Sequence, residues 1–166
     1  MLQKKICMLG SFAVGKTSLV RRFVESIYSD DYHTTVGVKI DRKPVSIDGT
    51  DVNLVLWDLY GEDDFQKMRW SNLQGASGYL LVADGTRRAT LEKALSLEQR
   101  AREEVGAIPF VFVINKCDLQ QEWDVDAAFE TQCAAKNWAV LRSSAKTGEG
   151  VEEAFAQLAR KLLNRA

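Results

Sequence analysis

The chain has 166 residues, enough for one domain with a substantial core. Apolar residues make up 46% and charged residues 27%, which excludes a disordered chain. Lys plus Arg number 22 and Asp plus Glu 23, and the resulting net charge of −1 removes any overall electrostatic case for nucleic acid or an anionic membrane.

The first apolar run, 6–9, is short and predicts a strand. A glycine loop at 10–17 follows, and helix-like patterning covers 16–24. Residues 38–47 and 51–57 flank Asp48-Gly49, a hairpin-turn signal, and Pro44 inside the first of them predicts an edge strand. Two more apolar runs, 79–83 and 110–114, read like the first as strands buried on both faces of a parallel sheet. Between and after them come helical segments at 90–105, 125–136 and 151–165, with a strand-like stretch at Val140–Arg142. The segment at 90–105 starts on Thr90 and stops before Gly106 and Pro109. In the last helix Val151, Ala154, Phe155, Leu158, Leu162 and Leu163 fall on one face. The alternation predicts an α/β fold: a mainly parallel sheet, one antiparallel edge strand, and helices on both faces. Such sheets bind ligands at the C-terminal ends of their strands.

No run approaches the length needed to span a bilayer. The opening MLQKKICMLG runs straight into a strand, so no secretory leader is expected. Gly does not follow Met1 and LLNRA carries no cysteine, so no lipid anchor is expected in this chain. Cys7, Cys117 and Cys133 are odd in number and scattered, and read as reduced thiols. The expected location is cytoplasmic, with any membrane recruitment through a partner.

Gly10-Ser11-Phe12-Ala13-Val14-Gly15-Lys16-Thr17 matches GxxxxGK[ST] between a strand and a helix, the context this motif requires. Glycines let the backbone wrap phosphates with N–H groups inward, and the helix start around Ser18 favours anions. Lys16 is placed to reach the β- and γ-phosphates and the Thr17 hydroxyl to ligate Mg2+. The loop alone does not separate ATP from GTP.

Asn115-Lys116-Cys117-Asp118 closes the strand at 110–114. Guanine presents N1–H and a 2-amino group side by side, and the Asp118 carboxylate can accept both; adenine would leave that carboxylate unpaired. Lys116 can lay its stem along the base. Asn115 is expected to tie this loop to the phosphate loop. Ser144-Ala145-Lys146 follows the last strand, with backbone N–H groups suited to guanine O6.

With these motifs the sequence resembles the Ras superfamily of small GTPases, closest in style to Rab. GSFAVGKT, TVG at 35–37, WDLYG at 57–61, NKCD and SSAKTGEG occur in that family's order and spacing, over essentially the whole chain. The resemblance implies a single P-loop NTPase G domain over 1–166, with a six-stranded sheet and five helices. It implies binding of GTP and GDP with Mg2+, and hydrolysis of GTP. It places Tyr28 against the guanine edge. It makes Thr35 a Mg2+ ligand that senses the γ-phosphate, Asp58 the aspartate behind Mg2+, and Gly61 an N–H donor to the γ-phosphate. Effectors would read residues 28–38 and 59–73, alongside an exchange factor and an activator; either Phe65, Met68, Trp70 and Leu73 are contacts for them, or Phe65 and Leu73 pack inward with Met68 and Trp70 only partly exposed. His33 reads as an exposed loop histidine. Glu62, Asp63 and Asp64 can favour the start of the next helix.

The chain departs from the family pattern in the second switch and in the phosphate loop. Where Asp-Thr-Ala-Gly-Gln is usual, the chain has Asp58-Leu59-Tyr60-Gly61-Glu62. The usual glutamine orients the attacking water; Glu62 offers an acceptor without an amide donor, and its charge falls near the γ-phosphate. Phe12 stands where a small residue is common. Three readings stay open: slow hydrolysis that resists an arginine-supplying activator, Glu62 as general base, or packing of Phe12 and Tyr60 without catalytic effect. At the level of function, a hydrolysing switch competes with a recruitment module that scarcely turns over. A small-molecule kinase would need a lid, and no such insertion is present.

Overall fold

The computed structural model describes residues 1–26, 38–59 and 69–164. Its strands are β1 (Leu2–Gly10), β2 (Lys39–Ile47), β3 (Thr50–Asp58), β4 (Gly78–Asp84), β5 (Phe110–Asn115) and β6 (Val140–Arg142), in the spatial order β2-β3-β1-β4-β5-β6. Every neighbouring pair is parallel except β2 with β3. The hairpin turns on Asp48 (φ 50°) and Gly49 (φ 84°), two successive left-handed residues as a two-residue turn requires. β2 pairs only with β3, so Pro44 sits on an edge, where its missing N–H costs no central ladder bond.

Period-2 alternation splits the buried strands between two cores. Ile6, Met8, Leu80, Val82, Val111 and Val113 face one side, packed with Val151, Ala154, Phe155, Leu158 and Leu162 of α4 (Val151–Leu163) and Leu19, Val20 and Phe23 of α1 (Lys16–Glu25). Phe23 and Phe155 stack at 4.0 Å and join these two helices. Cys7, Leu9, Leu81, Ala83, Phe112 and Ile114 face the other side, under α2 (Arg88–Val105) and α3 (Ala127–Ala135). This is the mainly parallel sheet with one antiparallel edge and helices on both faces that the pattern implied, with the six strands that the resemblance implied.

Four α-helices occur among the described residues, against the five expected. After β3 the described chain holds a 3-10 turn at Trp70–Leu73, closed by bonds from Asn72 N–H to Arg69 O and from Gln74 N–H to Ser71 O, and Gly75 (φ 80°) follows it in the left-handed region; residues 60–68 lie outside the described residues. α2 begins at Arg88 rather than Thr90, because the Thr90 hydroxyl turns inward to Arg87 O (2.8 Å) and Asp84 O (3.0 Å) instead of capping the helix. α3 starts after Asp126, whose carboxylate accepts from Phe129 N–H. No helix among the described residues is long and apolar enough to cross a membrane.

Candidate functional site

Parallel pairing brings the ends of β1, β3, β4, β5 and β6 to one edge, so Gly10, Asp58, Asp84, Asn115 and Arg142 lie along one rim. The loop 10–17 crosses that rim and feeds α1. Gly15 has φ 103°, and a Cβ there would fall 2.3 Å from Asn115 Nδ2, so backbone shape and close approach both demand glycine. α1 opens with no side-chain cap and no acid in its first turn. Its first N–H groups thus face the loop's concavity with the positive end of the helix dipole behind them.

The carbonyls of this loop can be accounted for one by one. Lys16, 6% exposed, donates through Nζ to Gly10 O and Ser11 O at 3.0 Å each. Arg87 Nη2 donates to Phe12 O (2.9 Å), Lys116 Nζ to Ala13 O (3.2 Å) and Asn115 Nδ2 to Val14 O (3.0 Å). Leu19 N–H closes on Gly15 O. With its carbonyls engaged in this way, the loop keeps its peptide N–H groups as the part of the backbone suited to cradle an anion. Ala13 (φ 62°) and Lys116 (φ 71°), the two non-glycine left-handed residues of the site, are the pair joined by one of these bonds.

The second loop is organised around Asn115, 2% exposed. Its Oδ1 accepts from Ser143 Oγ (3.0 Å) and, over a longer 3.3 Å, from Ala145 N–H, so one side chain ties the phosphate loop to the 143–146 loop. Cys117 N–H donates to Ser143 O. Asp118 is half-buried, and its Oδ1 accepts from Ser144 Oγ at 2.8 Å. Arg22 of α1 reaches across to Ala145 O (2.7 Å) and also to Lys146 O. Lys146 itself is exposed.

At the end of β3, Asp58 is 1% exposed and accepts from the Thr17 hydroxyl. These are two hard oxygen donors side by side, the chemistry Mg2+ selects when phosphates and water complete its shell. Tyr28, Thr35, Gly61 and Glu62 lie outside the described residues, as do His33, Phe65 and Met68. Of the remaining candidate effector contacts, Leu73 is fully buried in the core under α2, so its side chain is not a surface contact; Trp70 is half-buried, with the Arg100 guanidinium 5.2 Å from its ring. Phe12 is half-buried.

Sequence reading missed three side chains of this site: Arg22, Asp84 and Arg87. Asp84 left a trace, a carboxylate at the end of the apolar run 79–83. The two arginines look like ordinary surface residues. Asp84 is 1% exposed and takes Lys116 Nζ at 2.9 Å, Arg87 Nε at 3.0 Å, and both Thr86 N–H and the Thr86 hydroxyl. Burial pushes its carboxyl upward, but the Thr86 and Lys116 hydrogen bonds and the Lys116 charge outweigh that, and its pKa lies below the ordinary value. The cysteines are free thiols: burial pushes Cys7 to about 12, against the Lys5 charge, while burial and then the Glu149 contact push Cys117 to about 12. Neither is a reactive thiolate at neutral pH.

A profile of the Ras family matches residues 5–164 of this chain. The chain belongs to the Ras family. Human Ras-related protein Rab-4A is 36% identical over 163 residues, covering 97% of this chain and 75% of Rab-4A. Rat Rab-4B is also 36% identical, over 165 residues, covering 97% of this chain and 76% of Rab-4B. Zebrafish (Danio rerio) Rab-4A matches at 36% over 163 residues, 97% of this chain and 76% of the relative. As a Ras-family member the protein is a small GTPase, a GTP-binding protein of the switch class, and its family binds guanine nucleotides, generally with Mg2+.

Proposed function

We propose that residues 1–166 form one nucleotide-switch domain that takes GTP or GDP at the rim just described and hydrolyses GTP slowly. The observation that carries this reading is the Asn115 bridge: one buried amide joins the phosphate loop at Val14 O to the 143–146 loop, on the edge where Asp118 stands. A tail gripped by N–H groups of 11–18 and by Lys16 then places the purine against Asp118, and the Ala145 and Lys146 N–H groups serve guanine O6. On binding, Lys16 exchanges the Gly10 and Ser11 carbonyls for phosphate oxygens. Tyr28 covers the edge of the base.

Thr17, Thr35 and Asp58 are the residues we assign to Mg2+, which when bound supplies positive charge to the phosphate oxygens. In the hydrolytic step a water oxygen forms a bond to the γ-phosphorus while the bond from that phosphorus to the β–γ bridging oxygen breaks, giving GDP and phosphate. Gly61 N–H and Thr35 contact the γ-phosphate, which GDP lacks, so residues 28–38 and 59–73 form the surface a partner reads. Glu62 lacks an amide donor to orient the water, and the Phe12 ring crowds the approach to the γ-phosphate. Both slow the intrinsic reaction, and both equally favour the second reading, a GTP-dependent recruitment module with little turnover.

Titration of the magnesium-supplied protein with labelled GDP and ADP tests the first claim: GDP is preferred by at least ~10²-fold, and equal affinities refute it. Single-turnover phosphate release from the parent, Glu62→Gln and Phe12→Gly tests the second. At least one variant is faster than the parent; if neither is, hydrolysis is not restrained by these residues.

A further inference from the structure

We propose that Arg87 and Asp84, together with Lys116, form a clasp on the outside of the phosphate loop that retards nucleotide release. The proposal rests on the nucleotide site proposed above and adds two positioning residues to it.

The geometry is that of a shared carboxylate. Asp84 Oδ2 receives Arg87 Nε (3.0 Å) and Lys116 Nζ (2.9 Å), while Oδ1 is filled by Thr86 N–H (2.9 Å) and the Thr86 hydroxyl (2.6 Å). Four donors on a carboxylate that is 1% exposed fix it firmly. Each cation held by Asp84 also donates outward to a loop carbonyl: Arg87 to Phe12 O and Lys116 to Ala13 O. The guanidinium fork lets Arg87 hold Asp84 through Nε and Phe12 O through Nη2 at once, which an ammonium cannot do.

The loop needs such support. Ala13 sits at φ 62°, a conformation a non-glycine residue keeps only when its surroundings over-determine it. With the Phe12 carbonyl held by Arg87, the orientation of the Phe12–Ala13 peptide, and so of its N–H, is fixed. Without that hold the peptide can rotate, turn its oxygen toward the phosphates and lower the barrier to their departure. Arg87 is 45% exposed, which limits what its ion pair adds to global stability. Its effect is therefore confined to the shape of the loop.

The test is a chase of fluorescent GDP from the magnesium-loaded protein. Arg87→Ala is expected to release GDP on the order of 10-fold faster, with association and the GDP/ADP preference unchanged, and Arg87→Lys to fall between it and the parent. Arg88→Ala is the control, since that neighbour pairs with Asp126 at 2.7 Å, and is expected to match the parent. Asp84→Asn, which loosens both cations, is expected to exceed Arg87→Ala. Release from Arg87→Ala within twofold of the parent, or equal acceleration by Arg88→Ala, overturns the clasp. A parent that retains no guanine nucleotide overturns the site itself, whereas a parent that retains it with Arg87→Ala unchanged overturns the clasp alone.

Discussion

The two loops at the rim are built by opposite means. The phosphate loop is held from outside: three successive carbonyls, of Phe12, Ala13 and Val14, are each taken by a side chain from the ends of β4 and β5. The base-side loop is held largely by itself, through Cys117 N–H to Ser143 O, Ser144 N–H to Glu149 O, Gly148 N–H to Ser144 O and the Ser144 hydroxyl to Asp118. The first design makes loop shape depend on distant charges. The second makes the placement of one carboxylate depend on local hydrogen bonds. Damage to the phosphate loop should therefore weaken all nucleotides alike, and damage to the base loop should change which nucleotide is chosen.

Asn115 belongs to both, so its loss should give the largest effect and should not separate the two properties. Asn115→Ala strips Val14 O, Ser143 Oγ and Ala145 N–H of a partner inside a buried site. At 1–3 kcal/mol for each group left unsatisfied, a loss of about 4 kcal/mol or ~10³-fold in GDP affinity is expected. Calorimetric titration with GDP and ADP checks it, with circular dichroism to confirm that the variant is folded. Loss of GDP affinity with loop-only behaviour, selectivity untouched, would break the picture of a shared bridge.

Asp118→Ala sharpens the contrast. The carboxylate contact to guanine is lost and the penalty of an unpaired carboxylate against adenine goes with it, so GDP affinity falls ~10²-fold while ADP affinity holds or rises. The same two titrations read it out. An equal fall for both nucleotides would mean that Asp118 supports the loops rather than reading the base.

A third test separates the two loops by pH. The folded-state pKa of Asp84 lies below its unfolded value, so its contribution to stability is complete above the ordinary carboxylate range and is lost as pH falls through the lowered pKa. Urea unfolding is expected to show this contribution flat from pH 7 to about 5 and declining below about 4. Asp84→Asn removes that part of the acid limb at a cost of about 1 kcal/mol at neutral pH, because the two cations that lose their shared anion are themselves 45% and 35% exposed. An acid limb identical in parent and variant would show that the outside hold is not electrostatic.

How much of this could be read from the chain differs between the loops for the same reason. The base side is written in contiguous residues, so NKCD and SAK announced it, and Asn115 is the expected tie between the loops that the structure shows. The phosphate loop announced its glycines, Lys16 and Thr17, but not Arg87, whose loop partner lies 75 positions away, just as the base side did not announce Arg22, whose partners lie 123 or more positions away. A basic residue with a distant backbone partner carries no local periodicity. The strands were legible because burial on both faces leaves unbroken apolar runs. The start of α2 was misplaced because Thr90 carries the composition of a cap while its hydroxyl is spent inside the turn. For Leu73 the sequence leaves two readings, partner contact or inward packing, because a lone leucine beside a switch segment looks the same either way; the structure settles on the core.

The smallest expected effect tests the local half of the comparison. Ser144 is fully buried; its hydroxyl donates to Asp118 Oδ1 at 2.8 Å and accepts from Thr147 N–H at 3.1 Å. Removing it has two opposing consequences for guanine. Asp118 loses the contact that fixes its rotamer, which weakens the bidentate pair; yet one carboxylate lone pair is released from an internal donor, which strengthens what it can offer. Orientation should prevail, because a bidentate contact needs both oxygens in the plane of the base and a half-buried carboxylate without a partner turns toward water. The net expectation for Ser144→Ala is GDP binding weaker by about 1 kcal/mol, roughly 5-fold, with ADP unchanged. Tighter GDP binding in this variant would mean that the hydroxyl competes with the purine rather than aiming the acid, and the base loop would then be restraining its own reader.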